Sequence, residues 1–211
     1  MSLKRLMQAG RVAQVDDPDL QELLDKQACG QVMMTYCRGI DHRDEALLRS
    51  VFHADAYHRH GFEGPSNAPG RGGKAGEPAD FVEYALGVLA THKRTHHQLG
   101  NIFVEVEPDG CTAYTEAYFT AFHRQRAIGD PKAGPNAFDT EMDYWVGGRY
   151  MDRMEKRDDV WKIAYRVGLT DWQRIEPPAS QGEGRTPVDL RSQQSRKDML
   201  YRRRRAFNKP E

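Results

Sequence analysis

Residues 147–166 read GGRYMDRMEKRDDVWKIAYR, and this stretch decides the fold. Apolar and polar side chains alternate through most of it, which is the periodicity of a β-strand with one buried face. The alternation stops at Arg157-Asp158-Asp159, a polar triplet of the kind found in tight turns. The pattern predicts two antiparallel strands, over residues 141–156 and 160–170, joined by that turn.

The same alternation extends toward the N-terminus and predicts two further strands, over residues 97–107 and 111–123. Pro108-Asp109-Gly110 separates them and is a strong turn signal. The second half of the chain is therefore predicted to be an antiparallel meander. An insert at residues 125–140, rich in glycine and proline, interrupts the meander and is a candidate lid.

The first half of the chain is helical by pattern. Apolar residues recur at steps of three and four from Pro18 to Ile40, which is the spacing of an amphipathic helix. A second helix follows, with Asp41 or Asp44 as its N-cap, and a third spans about residues 78–91. Three helices followed by a meander predict an α+β fold whose curved sheet can wrap around a pocket.

Between the second and third helices the sequence predicts a short strand, at about residues 56–61, and then a loop. The loop, residues 63–76, is rich in glycine and proline. Its GGKA segment lacks the Ser or Thr of a phosphate-binding P-loop, so no nucleotide site is expected there.

The chain of 211 residues is long enough for one domain with short appendages. We assign residues 1–17 to a flexible leader, 18–175 to the domain and 176–211 to a basic tail. The three cysteines form no CxxC pair, and no apolar run reaches the ~18 residues that a membrane span needs. These features favour a cytoplasmic protein with no membrane partner.

The net charge is zero, but basic residues are concentrated in the tail, which contains the run Arg202–Arg205. A basic tail can bind nucleic acid. Here no aromatic-rich platform accompanies it, so no nucleic acid partner is expected. We expect instead a solvated or subunit-wrapping segment that meets an acidic body.

Three motifs, in this order and spacing, resemble the SnoaL-like branch of the nuclear-transport-factor-2 (NTF2-like) superfamily. They are YCRGIDHRD with its Tyr36-x4-Asp41 spacing, THHQLGN ending at Asn101, and the stretch quoted above, ending at Arg166. The resemblance covers about residues 18–175 and is greatest to the scytalone dehydratases, lindane dehydrochlorinases and bile-acid 7α-dehydratases. It implies a cone-shaped fold in which three N-terminal helices pack on a strongly curved antiparallel sheet that encloses a pocket.

By register with those lyases, the resemblance implies a catalytic Asp41–His97 dyad, with Arg166 assisting the leaving group and Tyr36 one helical turn before the aspartate. Imidazole is a good base near neutral pH, and a carboxylate on its far ring nitrogen fixes the tautomer. Each position also has a structural interpretation: Asp41 as a helix cap, Arg166 as an ion-paired strand residue and Tyr36 as core. His96 and His97 are neighbours on a strand, so only one of them can point into the cone.

Four further residues are candidate substrate contacts: His58, His60, Tyr118 and Tyr150. His58 and His60 share a face of their strand and, with the dyad, could instead form a metal site. The resembling lyases use no metal, so neither a metal nor another cofactor is expected. Tyr150 corresponds to a pocket position of the family, and core packing is the alternative for both tyrosines.

The resulting prediction is a cofactor-independent lyase. It would eliminate water, halide or a small carbonyl fragment such as formaldehyde from a small hydrophobic molecule, aromatic or alicyclic. One alternative is an isomerase, hydratase or polyketide cyclase that uses the same pocket. Another is a non-catalytic ligand-binding or ring-hydroxylating dioxygenase β-like subunit, because the fold alone does not determine the reaction. The resemblance also implies a homodimer or homotrimer formed through the outer face of the sheet.

Overall fold

Helices come first and long strands follow, as the sequence pattern predicts. The computed structural model describes residues 10–12, 14–60, 74–76, 78–135, 137–178, 187, 191–201 and 203. Its named elements are, in chain order, α1 (Pro18–Asp41), α2 (Glu45–Ser50), β1 (Phe52–His60), β2 (Lys74–Gly76), α3 (Pro78–Ala90), β3 (His92–Val106), β4 (Thr112–Gln125), β5 (Met142–Arg157) and β6 (Val160–Glu176).

The six described strands form one sheet in the order β2-β1-β6-β5-β4-β3. The β3–β6 meander is antiparallel throughout, which confirms the α+β prediction. The β1–β6 pair is parallel, so the sheet is not antiparallel at every pair. Parallel neighbours need a long crossover, and the chain between β1 and β6, which holds α3 and most of the meander, supplies it.

Strand boundaries differ from the sequence prediction at polar ends. β3 begins at His92, five residues before the predicted start, and β6 continues to Glu176. The segment HKRTH is polar throughout, so burial of His92 and Thr95 cannot be read from alternation. The last three residues of the predicted 63–76 loop form β2 against the end of β1, and residues 61–73 lie outside the described part of the chain.

The sheet is irregular at Gly147-Gly148, where the β5–β6 register shifts. A Cβ atom on Gly147 would lie 2.3 Å from the Trp172 indole, and one on Gly148 would lie 1.9 Å from the Leu169 carbonyl oxygen. The clash at Gly148 is with backbone, so glycine is required there, whereas a side chain at position 147 would displace the exposed Trp172 indole. Such bulges bend a strand and increase its twist, which favours a curved sheet.

Helix α1 begins at a well-formed cap and ends at the candidate site. The Asp17 side chain accepts hydrogen bonds from the Asp19 and Leu20 amides at 3.0 and 3.1 Å. The face turned to the sheet is buried and apolar, with Cys29, Val32, Met33, Tyr36 and Ile40 in the core. Within the described part of the chain, no helix combines the length and the apolar character needed to cross a bilayer.

Asp44, and not Asp41, caps the second helix. Its side chain accepts a hydrogen bond from the Leu47 amide at 3.2 Å. This arrangement leaves the Asp41 carboxylate, at the last residue of α1, available for another contact.

Both appendages contact the domain where they are described. The Trp161 amide donates to the Gly10 carbonyl at 2.9 Å, and the Val12 amide donates to Asp159 at 3.1 Å. Residues 191–201 of the basic tail lie against the turn between α1 and α2. This part of the tail is thus docked on its own domain, whereas most of the run Arg202–Arg205 lies outside the described residues.

Candidate active site

Asp41 and His97 are in direct contact. His97 Nδ1 lies 2.7 Å from Asp41 Oδ1, and the His97 backbone amide donates to Asp41 Oδ2 at 2.9 Å. A carboxylate can only accept, so Nδ1 carries the proton and Nε2 is left as the basic nitrogen. One carboxylate therefore holds both the ring and the backbone of the histidine, and it selects the tautomer that can remove a proton.

The position of Asp41 contradicts the usual charge preference of a helix. The C-terminus of an α-helix carries partial negative charge, which disfavours a carboxylate there. The two hydrogen bonds from His97 compensate for this cost. Violations of a local rule concentrate at functional sites, so the placement itself marks Asp41 as unusual.

His97 owes its orientation to the irregular strand β3. Register shifts flank the stretch that carries it, between His92 and Arg94 and between Gly100 and Phe103. Asn101 adopts a left-handed backbone (φ 47°) at the second shift, which asparagine tolerates better than most residues. The His97 side chain is 7% exposed, whereas the preceding His96 is exposed, so the strand phase turns His97 inward.

A second histidine, His123 on β4, lies beside the dyad. Its ring centroid is 5.3 Å from that of His97 and 5.3 Å from that of His92. Its Nδ1 lies 2.8 Å from the Thr95 hydroxyl. Sequence reasoning did not select His123. A signal was available, since histidine occupies an inward position of β4 in line with Ala117, Phe119 and Ala121.

His123 forms part of the wall of a cavity of about 400 Å³. The wall is mostly apolar and is formed by α3, the 125–140 insert and residues of β3, β4 and β5, with a few polar groups among them. The lining includes Tyr84, Val88, Leu89, His92, His123, Arg126 and Tyr144. Burial lowers the pKa of His92, so this ring is neutral near pH 7. The volume and character suit a small hydrophobic ligand. Asp41 and His97 themselves line a separate open groove between α1 and β3, together with Met34, Cys37 and Leu99, and they are not among the residues that line the cavity.

Arg166 occupies a sealed position in the core. Its Nε and Nη2 donate to Asp152 at 2.6 and 2.5 Å, and both side chains are fully buried. The guanidinium lies between the rings of Tyr36 and Tyr150, 4.2 and 4.6 Å from their centroids. Burial alone would lower the pKa of Arg166, but the Asp152 carboxylate raises it above its usual value, so the charge persists.

Arg166 and Tyr36, predicted to act as donors to the leaving group, both lie in the core. Neither residue lines the cavity or the groove described above. Tyr36 is a core residue stacked near Phe81, and burial raises its pKa. Asp152 explains the arginine. Sequence reasoning did not include it, because alternation places a residue on a face but does not identify its cross-strand partner.

The thiol of Cys37 is influenced by the charges of both Asp41 and Arg166. Cys37 lies one helical turn before Asp41 on α1 and is buried. Burial raises the pKa of its thiol to about 12, with Arg166 opposing and Asp41 adding to the effect. The thiol is therefore protonated at neutral pH and unsuited to act as a nucleophile.

The four predicted substrate contacts are scattered. His58 is fully buried and stacks on Phe81, with ring centroids 3.5 Å apart. Tyr150 stacks on Phe119 in the core at 4.3 Å. Tyr118 is exposed on the opposite face of β4, beneath Arg149. The side chain of His60 lies outside the described residues.

The alternative prediction of a metal site requires His58 and His60 to lie close to the dyad. Among the described residues, no group of three or more His, Cys, Asp or Glu side chains is arranged to hold a metal ion. His58 packs within an aromatic cluster with Phe52 and Phe81. The dyad histidine instead contacts a carboxylate and a second imidazole, an arrangement suited to proton transfer.

Comparison with known protein families identifies the family of the chain. The sequence profile of the SnoaL-like domain matches residues 21–167, about two thirds of the chain. The protein therefore belongs to the SnoaL-like family, with an NTF2-like cone fold. No curated protein matches the chain significantly.

Solved structures of the same fold include enzymes. A type 2 hexachlorocyclohexane dehydrochlorinase is 17% identical, with a TM-score of 0.58, and covers 81% of this chain and 98% of its own. A provisionally named scytalone dehydratase from Novosphingobium aromaticivorans is 19% identical, with a TM-score of 0.56 and coverage of 83% and 99%. A provisionally named aromatic ring hydroxylase from the same organism is 19% identical, with a TM-score of 0.54 and coverage of 73% and 93%. At these identities the similarity establishes the fold.

Proposed function

We propose that the protein is a cofactor-independent lyase in which Asp41 and His97 act as a unit. It eliminates water, halide or a small carbonyl fragment such as formaldehyde from a small hydrophobic substrate, aromatic or alicyclic. The observation that carries the proposal is the 2.7 Å contact between His97 Nδ1 and Asp41 Oδ1. Membership of the SnoaL-like family and the fold shared with a dehydrochlorinase support it.

The first step is removal of a proton from the substrate by His97 Nε2. In a dehydration, the C–H electron pair forms the new double bond, and the C–O bond breaks with its electron pair on oxygen. The imidazolium then returns the proton to that oxygen, and water leaves. In the formaldehyde variant, the proton comes from a hydroxymethyl O–H, and the O–H electron pair forms the C=O bond of formaldehyde. The C–C bond breaks with its electron pair on the ring, and the imidazolium returns the proton to that ring carbon. Asp41 stabilises the imidazolium between the two proton transfers.

The substrate is proposed to occupy the cavity beside His123, with the group that loses its proton reaching toward His97 in the groove next to it. The cavity has about 400 Å³ of space, apolar walls and a histidine whose ring is 5.3 Å from that of the base. His123 and Tyr144 are placed to hydrogen-bond a polar substituent of a ring-sized substrate. A positioned base contributes roughly 10²- to 10⁴-fold, so positioning in this apolar cavity must supply much of the remaining acceleration.

For Arg166 we propose a role that acts through the Asp152 pair. Arg166 and Asp152 are both fully buried and form an ion pair of zero net charge. The pair therefore presents an oriented dipole, and a preorganised dipole can stabilise negative charge that develops during an elimination. The role is electrostatic, without direct contact with the leaving group.

Self-association through the outer face of the sheet is part of the proposal. That face carries large exposed apolar side chains: Tyr57, Phe103, Tyr114, Tyr118, Met151, Tyr165 and Leu169. Tyr57 and Tyr165 stack across β1 and β6 with ring centroids 5.2 Å apart. Apolar patches of this kind are typical of subunit interfaces, which supports a homodimer or homotrimer.

The test is turnover without added cofactor. Purified protein is incubated with a panel of aromatic and alicyclic alcohols, hydroxymethyl phenols and alkyl halides, and products are measured by mass spectrometry. We expect at least one compound to be converted, and His97→Ala to lose roughly 10²- to 10⁴-fold in turnover. His96→Ala, which changes the exposed neighbour, is the matched control and should retain activity. Equal activity of His97→Ala and the wild type on a converted compound would refute the proposed base.

A further inference from the structure

The described part of the C-terminal tail, residues 191–201, lies across the junction of the two elements that carry the dyad. Gln194 is at its centre. Its Oε1 accepts a hydrogen bond from Arg43 Nη2 at 2.8 Å, and its Nε2 donates to the Thr95 carbonyl at 3.0 Å. Arg43 follows Asp41 by two residues, and Thr95 precedes His97 by two. One side chain thus bridges the end of α1 and the strand β3.

A second anchor fixes the same segment to the same turn. Asp44 Oδ1 accepts from Arg196 Nη2 and Asp44 Oδ2 accepts from the Tyr201 hydroxyl, each at 2.9 Å. The Tyr201 ring also contacts His42 edge-to-face, with centroids 5.8 Å apart. Asp44 is buried, so its carboxylate requires these partners.

The segment has its own internal order. Asp198 accepts hydrogen bonds from the Gln193 amide at 2.7 Å and from the Leu200 amide at 2.9 Å. These bonds fold residues 193–200 into a compact turn that presents Gln194 and Arg196 to the domain. A solvated tail would not need a buried aspartate at its centre, and Asp198 is 9% exposed.

Both elements that the segment joins need outside support. β3 is at the edge of the described sheet and pairs only with β4. Edge strands and helix ends open more readily than the centre of a fold. The turn after α1 also contains a left-handed arginine, since Arg43 has φ 51°. Such a backbone persists where its surroundings hold it, and Arg43 Nη2 also donates to the His92 carbonyl at 3.0 Å.

We propose that residues 191–201 form a clasp that keeps Asp41 in register with His97, with Gln194 as the positioning residue. The Thr95 carbonyl that Gln194 holds belongs to the residue whose hydroxyl contacts His123 Nδ1, so the clasp also supports the second histidine. The effect of the clasp on turnover rests on the proposed lyase function. Its effect on the geometry of the dyad does not.

The test measures the tautomer of His97 in the full chain. Imidazole ¹⁵N chemical shifts distinguish a proton on Nδ1 from one on Nε2, and a His97→Gln spectrum assigns the signal. The wild type should show the Nδ1–H form that Asp41 selects. Gln194→Ala removes both bonds of the bridge. Gln194→Glu keeps an acceptor for Arg43 but places an oxygen against the Thr95 carbonyl. Both variants should show a several-fold larger population of the Nε2–H form.

The controls separate the clasp from general stability. Lys197→Ala changes an exposed residue of the same segment and should leave the His97 signal unchanged. Tyr201→Phe deletes a single hydroxyl and should shift the signal in the same direction as Gln194→Ala, but less. This milder variant keeps the test decisive if a Gln194 variant fails to fold. On a converted substrate, the Gln194 variants should lose about 10- to 100-fold in turnover, as expected for a base displaced by a fraction of an ångström to an ångström.

The outcomes distinguish the two proposals. An unchanged His97 tautomer in folded Gln194→Ala, Gln194→Glu and Tyr201→Phe would overturn the clasp, whatever the enzyme does. A shifted tautomer in a protein that converts no compound would support the clasp and count against the lyase. If Lys197→Ala shifted the His97 tautomer as much as Gln194→Ala does, the specific role of Gln194 would be overturned.

Discussion

Two carboxylate–nitrogen pairs of the molecule look alike in distance and differ in surroundings. The dyad joins Asp41 and His97 at 2.7 Å, with side chains 18% and 7% exposed. The core pair joins Asp152 and Arg166 at 2.5 Å, with both side chains at 0%. In the dyad one ring nitrogen remains for chemistry. In the core pair Nε and Nη2 of the guanidinium bond the carboxylate, and two tyrosine rings pack against the guanidinium, so the pair contributes structure.

The comparison shows that pairing alone does not mark a catalytic residue. Arginine is always protonated, and Asp152 raises the pKa of Arg166 further. Burial raises the pKa of both Tyr36 and Tyr150, so these rings stay neutral around it. The core pair therefore does not change its protonation state near neutral pH. Histidine is the side chain suited to that change, and His97 lines an open groove instead of lying sealed in the core.

The largest expected effect concerns the dyad. Asp41→Asn should reduce turnover by roughly 10²- to 10⁴-fold, because an amide can hold the wrong tautomer and cannot stabilise the imidazolium. Steady-state kinetics on a converted substrate measure this loss. The Asp41→Asn, His97→Ala double variant should be scarcely worse than His97→Ala, since the residues act as a unit. Additive losses would show that they act independently.

The core pair should instead control stability. Asp152→Asn leaves the Arg166 charge buried without an anion and should lower the free energy of unfolding by about 3–5 kcal/mol. Urea denaturation gives the value. Glu116→Gln is the matched control, because Glu116 pairs with Arg149 at 3.2 Å in a partly exposed position. Its loss should be much smaller. Equal losses for the two variants would mean that burial does not distinguish the pairs.

The smallest expected effect on stability is at Asp44, which binds the C-terminal tail. Asp44→Ala removes the α2 cap and the acceptor for the clasp, and should cost about 1 kcal/mol at neutral pH. Burial tends to raise the pKa of Asp44, but hydrogen bonds from Tyr201, Leu47 and Arg196 lower it below its usual value. The folded state therefore binds this proton less tightly than the unfolded state does. The stabilisation is present above the unfolded pKa and is lost as the pH falls through the folded one.

Urea denaturation at neutral pH and near pH ~3 checks this dependence. The difference in stability between wild type and Asp44→Ala should shrink at the lower pH. Asp44→Asn keeps a good capping side chain but loses the charge, so it should cost less and depend less on pH. A larger difference in stability between wild type and Asp44→Ala at the lower pH would contradict the lowered pKa of Asp44.

Much of the fold was predictable from local pattern. Alternation around the turn at residues 157–159 predicted β5 and β6, and three- and four-residue spacing predicted α1 from Pro18. The start of β3 was missed, because HKRTH contains no apolar residue to reveal its phase. The parallel β1–β6 pair was missed as well, since strand pairing between distant segments leaves no local periodicity.

For the candidate site, the order of residues in the sequence was enough to bring Asp41 and His97 together, through register with a known family. Tertiary structure alone decided three other features: the Arg166–Asp152 pair, the place of His123 beside His97, and the docking of Gln194 on Arg43 and Thr95. Periodicity reports which face of an element is buried, a property of neighbours in the chain. The partner across that face depends on the register of other strands and on long-range docking, which no short stretch of sequence encodes.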